Sequence, residues 1–519
     1  IPNGVPYRWA RNHPDELALT NRNRPIKMPS MASQIWRRDF AGALRNFVRH
    51  FETCRWADNI VGYCLHRNCN ECFGYDMNRG RPDGEFVDYS RPMQRYFRQW
   101  LRNRYGHDLD RFQQAWKTSD ITFEKATIPD VAARVGLEAR GCFNCEDSRG
   151  NRVSDWYRAY NQCNAEDLSY ACRALKEALA ELGTEKLVGL MHGYVDQTTS
   201  SYNGEFGHLE GCLTMRSAHI DFVHAPHTYF NRMTGQPEGN HLSRYAVANW
   251  HRHGKYVVDQ FDMGTHHTPE NAERGTTAAC VIQHMRRGIG NVLQTGTGLY
   301  WYNGGPGNYD NASVHGPALW SRLHFDDACY QEAIQSLTRL VNDAAITPGE
   351  SRTEIALIHS TRSLADLNQR DARTVATLLN AHFRSLTMGY LGTPFDEWYL
   401  EDFEAIDRPY KLYIFVTCFR IPETVRARIL NKLSGSGATV LWLYGSAWFN
   451  DDGPAPDQGE ALTGMKLRKV DGRNHAKAIA AHIDHPYLHG MSEDMRRWGT
   501  DIDPELILRC WGHRARPLD

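Results

Sequence analysis

The sequence predicts an α/β fold, a (β/α)8 barrel followed by a second α/β domain, and three features of its patterning lead there. Short apolar runs of strand length alternate with longer amphipathic runs over most of the 519 residues. Polar and aromatic residues gather just past the carboxyl ends of those runs, where the βα loops of a barrel converge. Near residue 348 the texture changes and a new alternation begins.

The strand candidates of the first part are "DNIVGYCL", "KLVGLMHGY", "IDFVHAPHTY", "KYVVDQFD" and "NVLQTGTGLYWY". Helical segments such as "AEDLSYACRALKEALAEL" and "TTAACVIQHMRRGI" precede them, with apolar residues recurring at helical spacing. Five such units fit a barrel whose first strands are missing or very short in this chain. In the second part "TEIALIHS", "YKLYIFVTCF" and "ATVLWLYG" read as strands, and "IPETVRARILNKLSGSG" as an amphipathic helix closed by glycine. A single core rarely serves so long a chain. The expected division is a partial barrel over 1–347, an α/β domain over 348–473, and a segment 474–519 that begins a further small domain or linker.

Charge and composition narrow the partner. Sixty basic residues against 61 acidic ones leave a net charge of -1, which provides no footprint for nucleic acid or an anionic membrane. Mean hydropathy is -0.58, and no run approaches the roughly 18 apolar residues of a membrane span. With 14 Trp and 24 Tyr, most of them core residues, enough rings remain to stack on sugars, so an oligosaccharide is the expected partner. Thirteen cysteines form no regular framework of spacings, which favours a reducing, cytoplasmic setting. The opening "IPNGVPYRWARNHPDE" has no readable signal peptide. No cofactor is expected. Cys64, Cys69 and Cys72 with the pair Cys142 and Cys145 could form a four-thiolate zinc site, although buried free thiols are the commoner reading of such residues.

The barrel rule selects the candidate site. Asn70 and Glu71 follow the first of the five strands; His192, Tyr194 and Asp196 follow the second; His227, Tyr229 and Arg232 follow the third. Gln260, Asp262, Thr265 and His266 follow the fourth, and Trp301 and Tyr302 the fifth. Carboxylates, imidazoles and rings in one mouth suit carbohydrate chemistry. A retaining glycosidase needs two carboxyl groups about 5–5.5 Å apart, an acid and a nucleophile. Glu71 can be the acid. Strand alternation turns Asp259 towards the helices and puts Gln260 and Asp262 on the other face.

These residues carry a resemblance. Asn-Glu after one strand, a carboxylate three strands on and a Trp after the last resemble the clan of (β/α)8 retaining glycosidases. The segment "DYSRPMQRYFRQWLRNRYGHDLDRFQQAWKTSDITFEKATIP" resembles glycoside hydrolase family 42 β-galactosidases. "RPYKLYIFVTCFRIPETVRARILNKLSGSGATVLWLYG" is similar to that family's amidotransferase-like trimerisation domain, and "GVPYRWARNHPDE" to its third-strand loop. The chain departs from the pattern where "CLHRNC" intervenes between Tyr63 and Asn70.

The resemblance implies a homotrimer and an exo-acting retaining hydrolase of β-galactosides or related sugars. It implies Glu71 as acid/base and places Gln260 where relatives with "ExDxRTH" have their glutamate nucleophile. Glutamine keeps that side chain's shape but cannot form the glycosyl ester, so the expectation is an inactive, nucleophile-replaced form. Asn70 would hold the sugar 2-hydroxyl, Tyr229 would orient residue 260, and Trp301 would lie under the sugar. Arg8, His192, Asp262, His266 and Tyr302 complete the substrate-binding candidates. Several basic residues in the pocket would suit an anionic sugar. The alternatives are a carbohydrate-binding pseudoenzyme and a zinc-dependent hydrolase.

Overall fold

The structure is a computed structural model. It describes residues 6–66, 75, 85–136, 142–144, 150–194, 203–228, 242–262, 265–267, 276–302, 325–346, 352–368, 379, 383–384, 387–389, 391–468, 477–479, 486–493, 495 and 497–499. Residues 1–466 form one compact unit and 467–519 another.

Within the first unit a short antiparallel pair, β1 (Leu17–Leu19) and β2 (Pro25–Pro29), precedes the sheet that matters for function. That sheet contains β3 (Gly62–Leu65), β4 (Leu187–Leu190), β5 (Phe222–Pro226), β6 (Tyr256–Phe261) and β7 (Gly298–Trp301), hydrogen-bonded in chain order and parallel throughout. These are the five strands read from the sequence. Parallel neighbours in chain order, with helices between, are the arrangement of a βα barrel wall. The helix Arg152–Glu181 runs between β3 and β4, and the helix Ala278–Thr295 between β6 and β7.

Register sorts the side chains into two faces. Tyr63, Leu65, Val188, Leu190, Val223, Ala225, Val257, Asp259, Phe261, Leu299 and Trp301 alternate onto one of them. The apolar members pack into the core under the helices, and Leu65, Val188, Leu190, Val223 and Phe261 are at most 1% exposed. Each such side chain contributes roughly 1.5–3 kcal/mol. The helix Ala278–Thr295 comes so close to β6 that a Cβ on Gly288 would lie 2.5 Å from the Phe261 ring. The opposite face carries Cys64, Gly189, His224, Val258, Gln260 and Tyr300.

Local sequence explains where the helices start and stop. The Oγ of Ser33 accepts from the Trp36 N–H to cap the helix Gln34–Glu52, and Thr277 does the same for Ala278–Thr295 through the Cys280 N–H. The latter helix ends at Gly296, whose φ of 72° is the left-handed conformation that glycine adopts without strain. Ser90 caps Arg91–Arg104, the helix within the stretch that resembles family 42.

A second parallel sheet, in the order β11-β10-β8-β9, holds β8 (Ile355–His359), β9 (Asp396–Tyr399), β10 (Leu412–Phe415) and β11 (Thr439–Trp442). The helix Glu423–Leu433 lies between β10 and β11 in the chain, as the sequence predicted. The protein is therefore α/β, a barrel-type sheet followed by a second α/β layer. Sequence reasoning missed β9, whose "DEWY" is short and half acidic. Asp396 there accepts from the Tyr410 hydroxyl at 2.6 Å, while Trp398 and Tyr399 are buried. The second unit, by itself, pairs β12 (Lys477–Ile479) antiparallel with β13 (Arg497–Gly499). Among the described residues no helix is long and apolar enough to cross a membrane.

Candidate active site

Gln260 is the penultimate residue of β6, 7% exposed, and in register with Pro226 on one side and Tyr300 on the other. Its carbonyl accepts from the His227 N–H at 3.1 Å and the Asp262 N–H at 2.9 Å. The first bond continues the ladder to β5, and the second folds the chain back at the strand end. The Gln260 backbone is thus fixed from both sides at the carboxyl edge of the sheet. Asp262, half-buried, lies near enough to His227 to favour a charged imidazole there.

Asp259 alternates to the helix-facing side, as the sequence predicted. It is fully buried, and the Thr297 hydroxyl donates to its Oδ2 at 2.9 Å. Burial drives its pKa up to about 7, against the lowering effects of Ser243, Thr297 and Arg244. His227 Nε2 lies 4.0 Å from the same oxygen. Burial, reinforced by Arg244, pulls the pKa of His227 down to about 3. The approach is therefore not an ion pair near neutrality, because the imidazole there is uncharged. Asp259 carries a consequence for stability. An acid whose folded pKa lies above its unfolded value of about 4 stabilises below that value, and the contribution is lost as pH rises to about 7. Asp259→Asn is expected to flatten the fall in stability between about pH 4 and 7, as read by denaturant titration across that range.

The other candidates are dispersed. His192 is fully buried: its Nε2–H donates to the Gly207 carbonyl at 2.8 Å, and its Nδ1 faces the Thr214 hydroxyl at 3.1 Å. Burial holds its pKa down at about 4, and both nitrogens are engaged in packing the interior. Trp301 does not share the face of Gln260. It is in register with Phe261, whose ring centroid is 4.7 Å away, and it also packs on Phe325, so it lines the helix layer rather than a sugar platform. Tyr300, rather than Trp301, shares the face of Gln260. Tyr302, half-buried, donates its N–H to the Phe261 carbonyl at 3.2 Å. His266 Nδ1 lies 2.6 Å from the Tyr330 hydroxyl, and its ring centroid is 3.9 Å from that of His267, the two planes tilted by 38°. Arg8 is exposed on the helix Tyr7–Asn12, which is anchored by the Trp9 indole N–H donating to Asp39 at 2.9 Å. Asn70, Glu71, Tyr229, Asp196 and Arg232 lie outside the described residues.

The fold is similar to that of several solved structures. The chain matches a catalytic mutant of a GH42 β-galactosidase from G. stearothermophilus with a TM-score of 0.57 and 14% identity, over 87% of this chain and 62% of that one. It matches the β-galactosidase of the psychrophilic Marinomonas ef1 with a TM-score of 0.57 and 12% identity, over 92% and 71%. A GH42 exo-carrageenase from Bacteroides ovatus gives a TM-score of 0.54 and 12% identity, over 87% and 58%. No protein-family model matches the chain, and no curated protein matches it in sequence. At these identities the likeness shows the fold alone, one similar to that of GH42 β-galactosidases. The chain spans less than two thirds of the first of these structures.

Another carboxylate of the barrel unit, Glu205, is committed to an ion pair. It is fully buried and accepts two charge-assisted hydrogen bonds from Arg134, that from Nε at 2.8 Å. Arg134 also donates to the Val87 carbonyl at 2.7 Å and sits among the rings of Phe86, Tyr89 and Trp156, 5.1–5.2 Å from each. Burial opposes its charge, but Glu205, together with Tyr89 and Tyr157, holds its pKa above the ordinary value. This pair is a structural element of the interior.

Two groups of described residues bring three potential metal-ligand atoms within 4.8 Å of one another: Cys64, His66 and His224, and His266, His267 and Asp327. The sequence reading passed over His66 and His224. The alternation in "GYCLH" and "FVHAP" puts both on the face of Gln260 and was the signal available. Of the proposed thiolate set, Cys69, Cys72 and Cys145 lie outside the described residues, and Cys142 Sγ is 3.2 Å from the Tyr444 hydroxyl.

Proposed function

We propose that this chain carries the active-site barrel of a retaining exo-glycoside hydrolase of the β-galactosidase type, in a form that binds its sugar but lacks the nucleophile. The observation that carries the reading is the position of Gln260: buried, fixed through its backbone at the carboxyl end of β6, and followed by Asp262 in a GH42-like fold. In this reading Glu71 is the general acid, Asn70 and Tyr229 contact the sugar, and position 260 is where a carboxylate would attack the anomeric carbon. β-Galactosides are the first substrate class. The exo-carrageenase among the structural neighbours supports including anionic galactans. We also propose the division at residues 347 and 473, and a trimer assembled through the second α/β domain, which light scattering at micromolar concentration checks.

The Gln260 side chain also favours a second reading, a pseudoenzyme that only recognises glycans. Azide separates the two. With an aryl β-galactoside bound, azide can attack the anomeric carbon from the face opposite the aryloxide, which leaves with its electron pair, giving a glycosyl azide of inverted configuration. The hydrolase reading expects negligible turnover without azide and glycosyl azide formation with it. Binding of the sugar with no azide product across a panel of aryl glycosides supports the pseudoenzyme.

A further inference from the structure

We propose that Cys64, His66 and His224 form a binding site for a zinc-class transition-metal ion on the Gln260 face of the barrel sheet. This goes beyond the glycosidase reading and does not depend on it. Cys64 lies on β3, His66 just past its end and His224 on β5, so a single ion would tie together two strands separated by β4. Cys64 Sγ lies 3.1 Å from His224 Nε2, the two imidazole centroids are 5.0 Å apart, and the three ligand atoms fall within 4.8 Å of one another. Tetrahedral zinc, at about 2.3 Å from sulfur and about 2.0–2.1 Å from nitrogen, needs its sulfur and nitrogen ligands about 3.5 Å apart. Side-chain rotation supplies the difference without moving the strands.

The neighbourhood selects the ligand form of the histidine. The Tyr300 hydroxyl is 3.0 Å from His224 Nδ1, which leaves Nε2 as the nitrogen aimed at the thiol. An outer partner on the far nitrogen is the usual support of a metal-bound histidine. The rival reading is a nucleophilic thiol activated by the imidazole. That chemistry needs only one imidazole beside the thiol, whereas here a second one, from His66, brings its ligand atom within 4.8 Å of the other two and supplies a third donor. A neutral imidazole beside a thiol suits a divalent ion, which takes the thiol's proton position and needs no charged histidine. One thiolate with two imidazoles is a donor set for zinc or cobalt rather than for magnesium or calcium.

The test uses the full chain, stripped with chelator and titrated with Co2+ as a spectroscopic probe and with Zn2+ in competition. The proposal expects one equivalent to bind, with a sulfur-to-cobalt charge-transfer band and the visible bands of a tetrahedral ion, all displaced by Zn2+. Cys64→Ser removes the charge-transfer band, His224→Gln abolishes the tetrahedral bands, and Tyr300→Phe weakens Zn2+ binding roughly 10- to 100-fold. Circular dichroism and the thermal midpoint of each apo variant show that the fold is retained, and Tyr300→Phe provides a test that keeps both ligand types. His267→Ala should change nothing. Loss of binding in Cys64→Ser with none in His224→Gln overturns the proposal in favour of a site made of thiolates. Binding without the charge-transfer band, or binding lost in His267→Ala, overturns it in favour of the His266, His267 and Asp327 group.

Discussion

Gln260→Glu is expected to raise turnover of activated aryl β-galactosides by roughly 10^4- to 10^6-fold, the range seen when a catalytic group that acts as part of a unit is removed or restored. Glutamate and glutamine have nearly the same shape, so the pocket and the affinity for sugar should change little, and the gain should appear in kcat. A carboxylate acts chiefly where positive charge develops at the anomeric carbon, which is a transition-state effect. The burial of position 260 favours the neutral acid, so the restored enzyme should need a pH above the raised pKa of the new glutamate. Its activity should therefore rise with pH through that value and fall again as the general acid ionises. Comparison of the two forms by initial rates, with the stereochemistry of the first product, checks the expectation. A glutamate form that stays inert while still binding sugar contradicts it.

Glu205→Gln is expected to be among the most damaging single substitutions for stability, at about 3–5 kcal/mol, because it leaves the Arg134 cation buried without its partner. Both side chains are fully excluded from solvent, and the three rings around Arg134 give it no route to water. Replacing both partners with apolar residues of similar size, as in Arg134→Met with Glu205→Leu, should recover most of the loss, because the desolvation of two charges disappears with them. Denaturant midpoints of the single and double variants make the comparison. A mild effect of Glu205→Gln alone would mean that water reaches Arg134.

The strands were legible because parallel strands covered on one face by helices write themselves as apolar runs, and "KLVGLM" or "KYVVDQF" has few other uses. Asp259 and Gln260 were assigned opposite faces by alternation alone, and the packing agrees. At "GLYWYN" the resemblance put Trp301 under the sugar, whereas register gives the Gln260 face to Tyr300; a shift of one residue reverses the face of a side chain in a strand. The Arg134 and Glu205 pair was not legible, because its members are 71 positions apart and nothing local in either sequence marks a buried ion pair. β9 was hidden by its composition, since two of its four residues are acidic. His66 and His224 were in plain view, but only the register of β3 and β5 against β4 shows that they meet Cys64.

Covalent trapping reads directly whether position 260 is the site of the missing nucleophile. A 2-deoxy-2-fluoro galactosyl donor with a good leaving group forms a long-lived ester on the nucleophile of a retaining glycosidase, and digestion followed by mass spectrometry locates the labelled residue. A single adduct is expected in the Gln260→Glu protein, on residue 260, and none in the Gln260 form under the same conditions. An adduct on Asp262, or labelling of the Gln260 form at any carboxylate, would contradict it.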